Sequence, residues 1–179
     1  MFGIDDRLPF IPVNIAVLTV SDTRNEDTDE SGKTLATKAK DAGHIVIEKA
    51  IVKDDENLIA KKLQQWIDSP QVEVILATGG TGVTGRDVTP EAFRRVIEKE
   101  IPGFGELFRW LSFRTIGTST IQSRAMAGVA NGTYLFALPG SRSACIQAWD
   151  EIFQYQLDAR HRPCNFVELL PRLRETVSV

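Results

Sequence analysis

The hydrophobic pattern of the chain changes period from segment to segment. Residues 14–20 (NIAVLTV) and 72–77 are short apolar runs rich in β-branched side chains, which predict buried strands. Residues 44–52 alternate enough to predict another strand. Between the predicted strands at 14–20 and 44–52, apolar residues recur every three or four positions over 32–42. This spacing predicts an amphipathic helix that stops at Gly43.

The rest of the chain continues the alternation. Three- and four-residue spacing predicts a helix over 55–67 and another around Phe104. Thr89-Pro90 predicts a helix start, with Thr as N-cap and Pro in the first helical position. Asn131-Gly132 between two apolar segments predicts a β-hairpin. Pro139-Gly140-Ser141 then ends a strand and begins a long last helix.

Strands that alternate with helices indicate an α/β fold with a mostly parallel sheet, and the late hairpin makes that sheet mixed. Residues 1–12 lack periodicity and are interpreted as an N-terminal arm. Residues 13–168 are assigned to a single domain and 169–179 to a C-terminal tail. The segment from Arg160 onward is expected to be irregular and to pack on a partner subunit.

Composition restricts the class of protein. The 179 residues are 42% hydrophobic and 25% charged, which fits one globular domain, and the net charge of −3 argues against a nucleic-acid or acidic-membrane surface. Two cysteines and two histidines predict neither a disulfide framework nor a zinc centre. The N-terminus does not have the pattern of a signal peptide, and no apolar run is long enough to span a membrane, so we expect a cytoplasmic protein.

Residues 78–82 (TGGTG) are the most informative motif. Glycines after a buried strand let the backbone approach a ligand, and their N–H groups can bind an anion. The alternative is a tight turn that binds nothing. Gly80, Gly82 and Gly85 also match the dinucleotide fingerprint by letter, but the helix begins too late, so a nicotinamide oxidoreductase is the least supported function.

Two further loops carry candidate ligands. Asp87 lies between the glycine loop and a helix start, where a carboxylate suits Mg²⁺ beside phosphates or simply favours the helix dipole. Asp54 or Asp55 follows another strand and supplies a second carboxylate. Ser141 begins a helix and is interpreted as an N-cap, as part of a phosphate site, or as both. Cys145, one turn later, is expected to be a core residue rather than a nucleophile.

The separated motifs together resemble one known family. TVSD at 19–22, DESG at 29–32, AGH at 42–44, TGGTGVTGRDVTPEA at 78–92, PGFGELFR at 102–109, SRAMAGV at 123–129 and LPGS at 138–141 occur in order. They resemble the molybdenum cofactor biosynthesis family that includes molybdopterin adenylyltransferase and the gephyrin G domain. The resemblance extends from about residue 12 to about residue 168.

The resemblance implies a three-layer α/β/α fold and a trimer or hexamer as homo-oligomer. It also implies that MgATP and molybdopterin react to give adenylylated molybdopterin and pyrophosphate. Other proteins of molybdenum cofactor biosynthesis are expected partners, and nucleic acid and membranes are not. The alternative is a non-catalytic molybdopterin-binding or regulatory protein of the same pathway.

Carried over by motif, the resemblance assigns catalysis and Mg²⁺ binding to Asp54 and Asp87. It assigns substrate or nucleotide binding to Ser21, Asp22, Asp29, Ser31, Gly79, Gly80, Thr81, Gly82, Arg86, Pro139, Gly140 and Ser141.

Overall fold

The computed structural model describes residues 3–175, and a six-stranded mixed sheet forms its centre. The strands are β1 (Gly3–Ile4), β2 (Asn14–Val20), β3 (Ile45–Val52), β4 (Val74–Thr78), β5 (Lys99–Glu100), β6 (Met126–Ala130), β7 (Thr133–Leu138) and β8 (His161–Arg162). The order in the main sheet is β3-β2-β4-β7-β6-β5. The first four of these are mutually parallel, and the β6–β7 hairpin and β5 add antiparallel pairs.

Helices cover both faces of this sheet. They are α1 (Glu30–Asp41), α2 (Glu56–Ile67), α3 (Thr89–Val96), α4 (Pro102–Ile116), α5 (Arg142–Ala148), α6 (Gln154–Gln156) and α7 (Phe166–Leu169). One apolar cluster joins alternate strand residues to α1, α4 and α5, and a second joins the opposite strand face to α2 and α3. The predicted three-layer α/β/α fold with a mixed sheet is therefore confirmed.

Local signals set the helix ends close to their predicted places. Asp29 caps α1, since its side chain accepts a hydrogen bond from Gly32 N at 2.9 Å. Gly43 follows α1 with φ of +93°, the left-handed conformation expected of a glycine after a helix. Asp55 caps α2 by accepting from Leu58 N at 2.9 Å.

The predicted capping role of Thr89 is wrong. Val88 is the N-cap of α3, and Thr89 is already helical, with Pro90 in the first turn. The buried Thr89 hydroxyl instead donates to Gly79 O at 2.8 Å. The hydroxyl is thus used to hold the glycine loop against the start of α3.

The segment from Arg160 is more ordered than expected. β8 pairs with β1, so part of the predicted N-terminal arm also belongs to a small antiparallel sheet. Phe166 packs on the core of its own chain, with its ring centroid 4.8 Å from that of Tyr134. Apolar side chains on α7 cover an end of the core, which is why this segment folds back. Residues 1–2 of the arm and 176–179 of the tail lie outside the described residues.

The last long helix is interrupted. After α5 the chain forms a π-helical turn at Trp149–Phe153 and then continues into α6. None of the helices described within residues 3–175 is both long enough and apolar enough to cross a membrane.

Candidate functional site

A cavity of about 500 Å³ lies where the central parallel strands end. β4 lies between β2 and β7, and the register pairs Thr78 with Thr19 on one side and with Leu138 on the other. The loops that follow these three strands therefore leave the sheet side by side, as ligand-binding loops do in open α/β sheets. The predicted site residues that line the cavity are Ser21, Ser31, Asp54, Gly79, Gly80, Thr81, Gly82, Asp87, Pro139 and Gly140.

The glycine turn that forms the floor requires glycine at two positions. Gly79 has φ of +106° and Gly80 has φ of +63°, both in the region that L side chains rarely adopt. Gly79 N donates to Leu138 O at 3.0 Å. A Cβ on Gly140 would lie 3.2 Å from Gly79 Cα, so two main-chain segments approach closely here. These contacts hold the turn against the loop that follows β7.

Asp54 approaches this turn from the end of β3. A Cβ on Gly80 would lie 3.1 Å from Asp54 Oδ1, whereas Asp54 Oδ2 accepts a hydrogen bond from Asp22 N at 2.8 Å. Burial raises the pKa of Asp54, and the nearby charge of Asp22 raises it further. Because Asp55 is used as the cap of α2, Asp54 is the residue of this pair that lines the cavity.

Asp87 approaches the same turn from the other side of the loop. A Cβ on Gly82 would lie 2.8 Å from Asp87 Oδ2. The same oxygen accepts from Thr84 N at 2.9 Å and from Thr84 Oγ1 at 2.6 Å. Burial alone would raise the pKa of Asp87, but these hydrogen bonds outweigh it and the pKa is lowered. Asp87 is thus held as a carboxylate beside the glycine turn.

The two carboxylates fit a divalent cation that also binds phosphate oxygens. Each keeps one oxygen, Oδ1, outside the hydrogen bonds described above, and Asp87 contributes to the raised pKa of Asp54 through its charge. A cation between them would relieve that repulsion. Mg²⁺ favours one or two carboxylates with substrate phosphates. Within residues 3–175 no group of three or more His, Cys, Asp or Glu side chains could hold a metal, so a cation here would depend on these two.

Asp22 and Arg86 lie at the rim rather than in the wall of the cavity. Arg86 donates to Asp22 Oδ2 from Nε at 3.0 Å and from Nη2 at 2.5 Å. This ion pair lowers the pKa of Asp22. The main-chain N of Asp22 donates to Asp54 Oδ2 at 2.8 Å, and that of Asp54 donates to Asp22 Oδ1 at 3.3 Å. Asp22 thus connects the loop after β2 to the loop after β3 and, through Arg86, to the loop before α3.

The side chains of Asp29, Ser31 and Ser141 form hydrogen bonds with main-chain groups of this chain. Asp29 is buried, accepts from Thr19 Oγ1 at 2.8 Å and lines a neighbouring cavity. Ser31 Oγ donates to Gly140 O at 2.7 Å and so fixes the turn after β7. Ser141 caps α5 by accepting from Ala144 N at 3.2 Å, and it lines an adjoining, more apolar cavity of about 450 Å³.

Cys145 belongs to the core, as predicted. It is fully buried, and its Sγ lies 3.2 Å from Thr78 Oγ1. Burial raises the pKa of the thiol to about 11, which leaves it protonated at neutral pH.

Sequence reasoning missed two arginines at this site. Arg24 lines the cavity and donates to Gly140 O and Ser31 Oγ. Arg124 donates from Nε to Gly82 O and from Nη2 to Asp87 O, both at 2.6 Å. Arg124 also forms an ion pair with Glu91. Arg124 lies 37 and 42 residues along the chain from the carbonyls it binds, and Arg24 lies 116 residues from Gly140. Local patterns therefore did not place either cation at the site.

The 3₁₀ segment Gly117–Gln122 was also missed. Ser119, Gln122 and the following Ser123 line the cavity. The segment has no hydrophobic period and lies between two predicted elements, so no sequence rule marked it as part of a site.

Comparisons with known proteins identify the family of the chain. Residues 16–159 match the family model described as "probable molybdopterin binding domain". The chain is 55% identical over 157 residues to molybdenum cofactor biosynthesis protein B of Escherichia coli K12, covering 88% of this chain and 92% of that protein. It is 43% identical over 150 residues to the protein of the same name from Staphylococcus epidermidis, covering 82% and 85% of the two chains.

Solved structures give the same result. A crystal structure of molybdenum cofactor biosynthesis protein B superimposes with a TM-score of 0.83 at 37% identity, covering 93% of this chain and 98% of that one. The tungsten cofactor synthesizing protein MoaB from Pyrococcus furiosus superimposes with a TM-score of 0.76 at 31% identity, covering 92% and 98%.

Proposed function

Because the chain belongs to the family described as a probable molybdopterin binding domain, we propose that it acts in cytoplasmic molybdenum cofactor biosynthesis. It binds molybdopterin and adenylylates it with MgATP, and pyrophosphate is released. The observation that carries the proposal is that Asp54, Asp87 and the glycine turn meet in one cavity.

The reaction suits a site without a general base. The nucleophile is the terminal phosphate of molybdopterin, whose second pKa is near 6, so it is already largely ionised at pH 7. It attacks the α-phosphorus of ATP, the new P–O bond forms, and the bond to the β,γ-diphosphate breaks. Catalysis then requires alignment of two polyanions and neutralisation of their charge.

The residues of the cavity supply these two functions. Residues 79–82 line the space in which phosphates would lie. Because Gly79 N already donates to Leu138 O and Gly82 N to the Asp87 carboxylate, the amides of Gly80 and Thr81 are the ones that would bind phosphate. Asp54 and Asp87 would hold Mg²⁺, which neutralises phosphate charge when bound. Arg124 fixes the carbonyls of Gly82 and Asp87 and keeps the carboxylate beside the turn.

A second candidate is a protein that binds molybdopterin without transferring AMP to it. The description of the family supports this candidate because it names binding and no transfer. An assay with purified protein, molybdopterin, ATP and Mg²⁺ separates the two functions. Adenylylated molybdopterin with pyrophosphate supports the enzyme, whereas saturable pterin binding without product supports the carrier.

The role of Asp87 is tested in the same assay. We expect Asp87→Ala to abolish adenylyl transfer while the circular dichroism spectrum and the cooperative melt remain those of a folded protein. Unchanged transfer by this variant would remove Asp87 from the metal site.

We propose further that the protein forms a homo-oligomer, a trimer or a hexamer, and that other proteins of the same pathway bind to it. Exposed apolar side chains on and just after α4 support this: Trp110 is 63% exposed, Phe113 55%, Ile116 54% and Ile121 81%. Large exposed apolar patches of this kind mark interaction surfaces.

A further inference from the structure

The positive charge of Arg24 is not fully neutralised by contacts within the fold. Among the described residues that line the site cavity it is the one cationic side chain, and its side chain is 33% exposed. It reaches the cavity from the loop between β2 and α1 and lies against the Gly140 turn. Asp54 and Asp87, by contrast, adjoin Gly80 and Gly82.

The hydrogen bonds around Arg24 leave donors free for a ligand. Within residues 3–175 its ion-pair partner is Asp29, at 3.9 Å between Nη1 and Oδ1, which is beyond hydrogen-bond distance. Both oxygens of Asp29 already accept, one from Gly32 N at 2.9 Å and one from Thr19 Oγ1 at 2.8 Å. A guanidinium has five N–H donors. Two of those of Arg24 donate within the described chain, to Ser31 Oγ at 3.0 Å and to a main-chain oxygen at 3.2 Å.

The charges of Asp54 and Asp87 indicate which of the two substrates the free donors of Arg24 would bind. A nucleoside triphosphate arrives with Mg²⁺, which Asp54 and Asp87 attract. A phosphate monoester arrives without a metal, and the same two carboxylates repel it. A guanidinium binds phosphate through two parallel hydrogen bonds, and its charge offsets that repulsion.

We propose that Arg24 binds the phosphate monoester of the pterin substrate and so makes the site select the phosphorylated pterin. This inference rests on the proposed function. The two N–H groups that donate to Ser31 and Gly140 orient the guanidinium, and its remaining donors face the ligand. Arg24 is then a specificity residue, separate from the metal-binding carboxylates.

The test is calorimetric titration of wild type, Arg24→Met and Arg24→Lys with three ligands. These are a pterin that carries a phosphate monoester, the same pterin without phosphate, and MgATP. Arg7→Met is the matched control, because Arg7 lies in the N-terminal segment with its side chain 88% exposed. Circular dichroism and thermal melts establish that each variant is folded.

We expect Arg24→Met to lose about 30-fold in affinity for the phosphorylated pterin, the size of a charge-assisted pair of hydrogen bonds. Its affinity for the other two ligands should stay within about twofold of wild type, on the same scale. Arg24→Lys keeps the charge without the planar fork and should lose less than Arg24→Met. Arg7→Met should match wild type throughout.

Three results overturn the inference alone: no loss in Arg24→Met, a loss confined to MgATP, or the same loss for all three ligands. The last would mean that Arg24 only shapes the Gly140 turn. If wild type binds neither pterin, the proposed function fails first, and this inference fails with it.

Discussion

Gly82→Ala tests whether the position of the Asp87 carboxylate matters for function. Within the described chain Gly82 is not among the glycines with positive φ, so alanine strains no backbone angle there. The new Cβ, however, would lie 2.8 Å from Asp87 Oδ2 and 3.1 Å from Asp87 Cγ, which forces the carboxylate to move. Its two hydrogen bonds from Thr84, at 2.9 and 2.6 Å, would stretch or break.

The expected effect on stability is small. Asp87 is partly exposed, so water replaces much of what Thr84 provides, and we expect a loss of about 1–2 kcal/mol. Replacing a glycine returns about 0.4–1 kcal/mol by restricting the unfolded chain. The melting temperature should therefore fall by no more than about 6 °C.

The expected effect on turnover is large. A displacement of about 1 Å at a reacting site can cost about 100-fold in rate, and adenylyl transfer should fall by that order. Gly85→Ala is the matched control in the same loop, because a Cβ at Gly85 meets no atom within 4 Å. Both variants are compared in the adenylyl-transfer assay and by calorimetric melting. If Gly82→Ala and Gly85→Ala transfer AMP equally well, the position of Asp87 is irrelevant and the reasoning is refuted.

Three further predictions concern other parts of the molecule. Burial lowers the pKa of His44 to about 4. As pH falls from about 6.5 toward 4, the unfolded chain therefore takes up a proton at this residue before the native protein does. The free energy of unfolding should drop by at most about 1.4 kcal/mol per pH unit over this range. His44→Gln should flatten this part of the pH dependence of the melting temperature, and an unchanged slope would contradict the assignment. Tyr134 has a buried hydroxyl with no hydrogen-bond partner among the described residues. Tyr134→Phe should therefore leave the free energy of unfolding in urea unchanged or raise it by about 1 kcal/mol. A clear loss of stability would contradict this and reveal a partner. Trp110→Glu should shift the protein to a smaller species in sedimentation velocity, and an unchanged oligomer would exclude the α4 face as the interface.

The sequence predicted the fold well because its signals were local. The apolar run at 14–20, the Asn131-Gly132 hairpin and the glycine after α1 each act within a few residues, and the structure has them as expected. Thr89 was assigned wrongly because the same residue type can cap a helix or hold a distant carbonyl, and only the three-dimensional proximity of Gly79 decides between them.

The site was predictable in part for the same reason. Glycines and carboxylates that directly follow strands were found because parallel strands bring their carboxyl ends to one edge of the sheet. Arg24 and Arg124 were not found, since their partners lie up to 116 residues away along the chain. Local patterns identify loops that bear ligands, but they do not show which cations those loops recruit.

The arrangement also explains how a chain with a net charge of −3 can bind polyanions. No broad basic surface is needed if the attraction is confined to main-chain amides and to a few cations at defined points. The strand register Thr19–Thr78–Leu138 brings the loops that carry those amides side by side at one edge of the sheet. If the proposed function is correct, the two aspartates should make nucleotide binding depend on a divalent cation, because without one they would repel the triphosphate. Under that proposal, we expect the acidic site to bind the metal complex of the nucleotide more tightly than the free nucleotide.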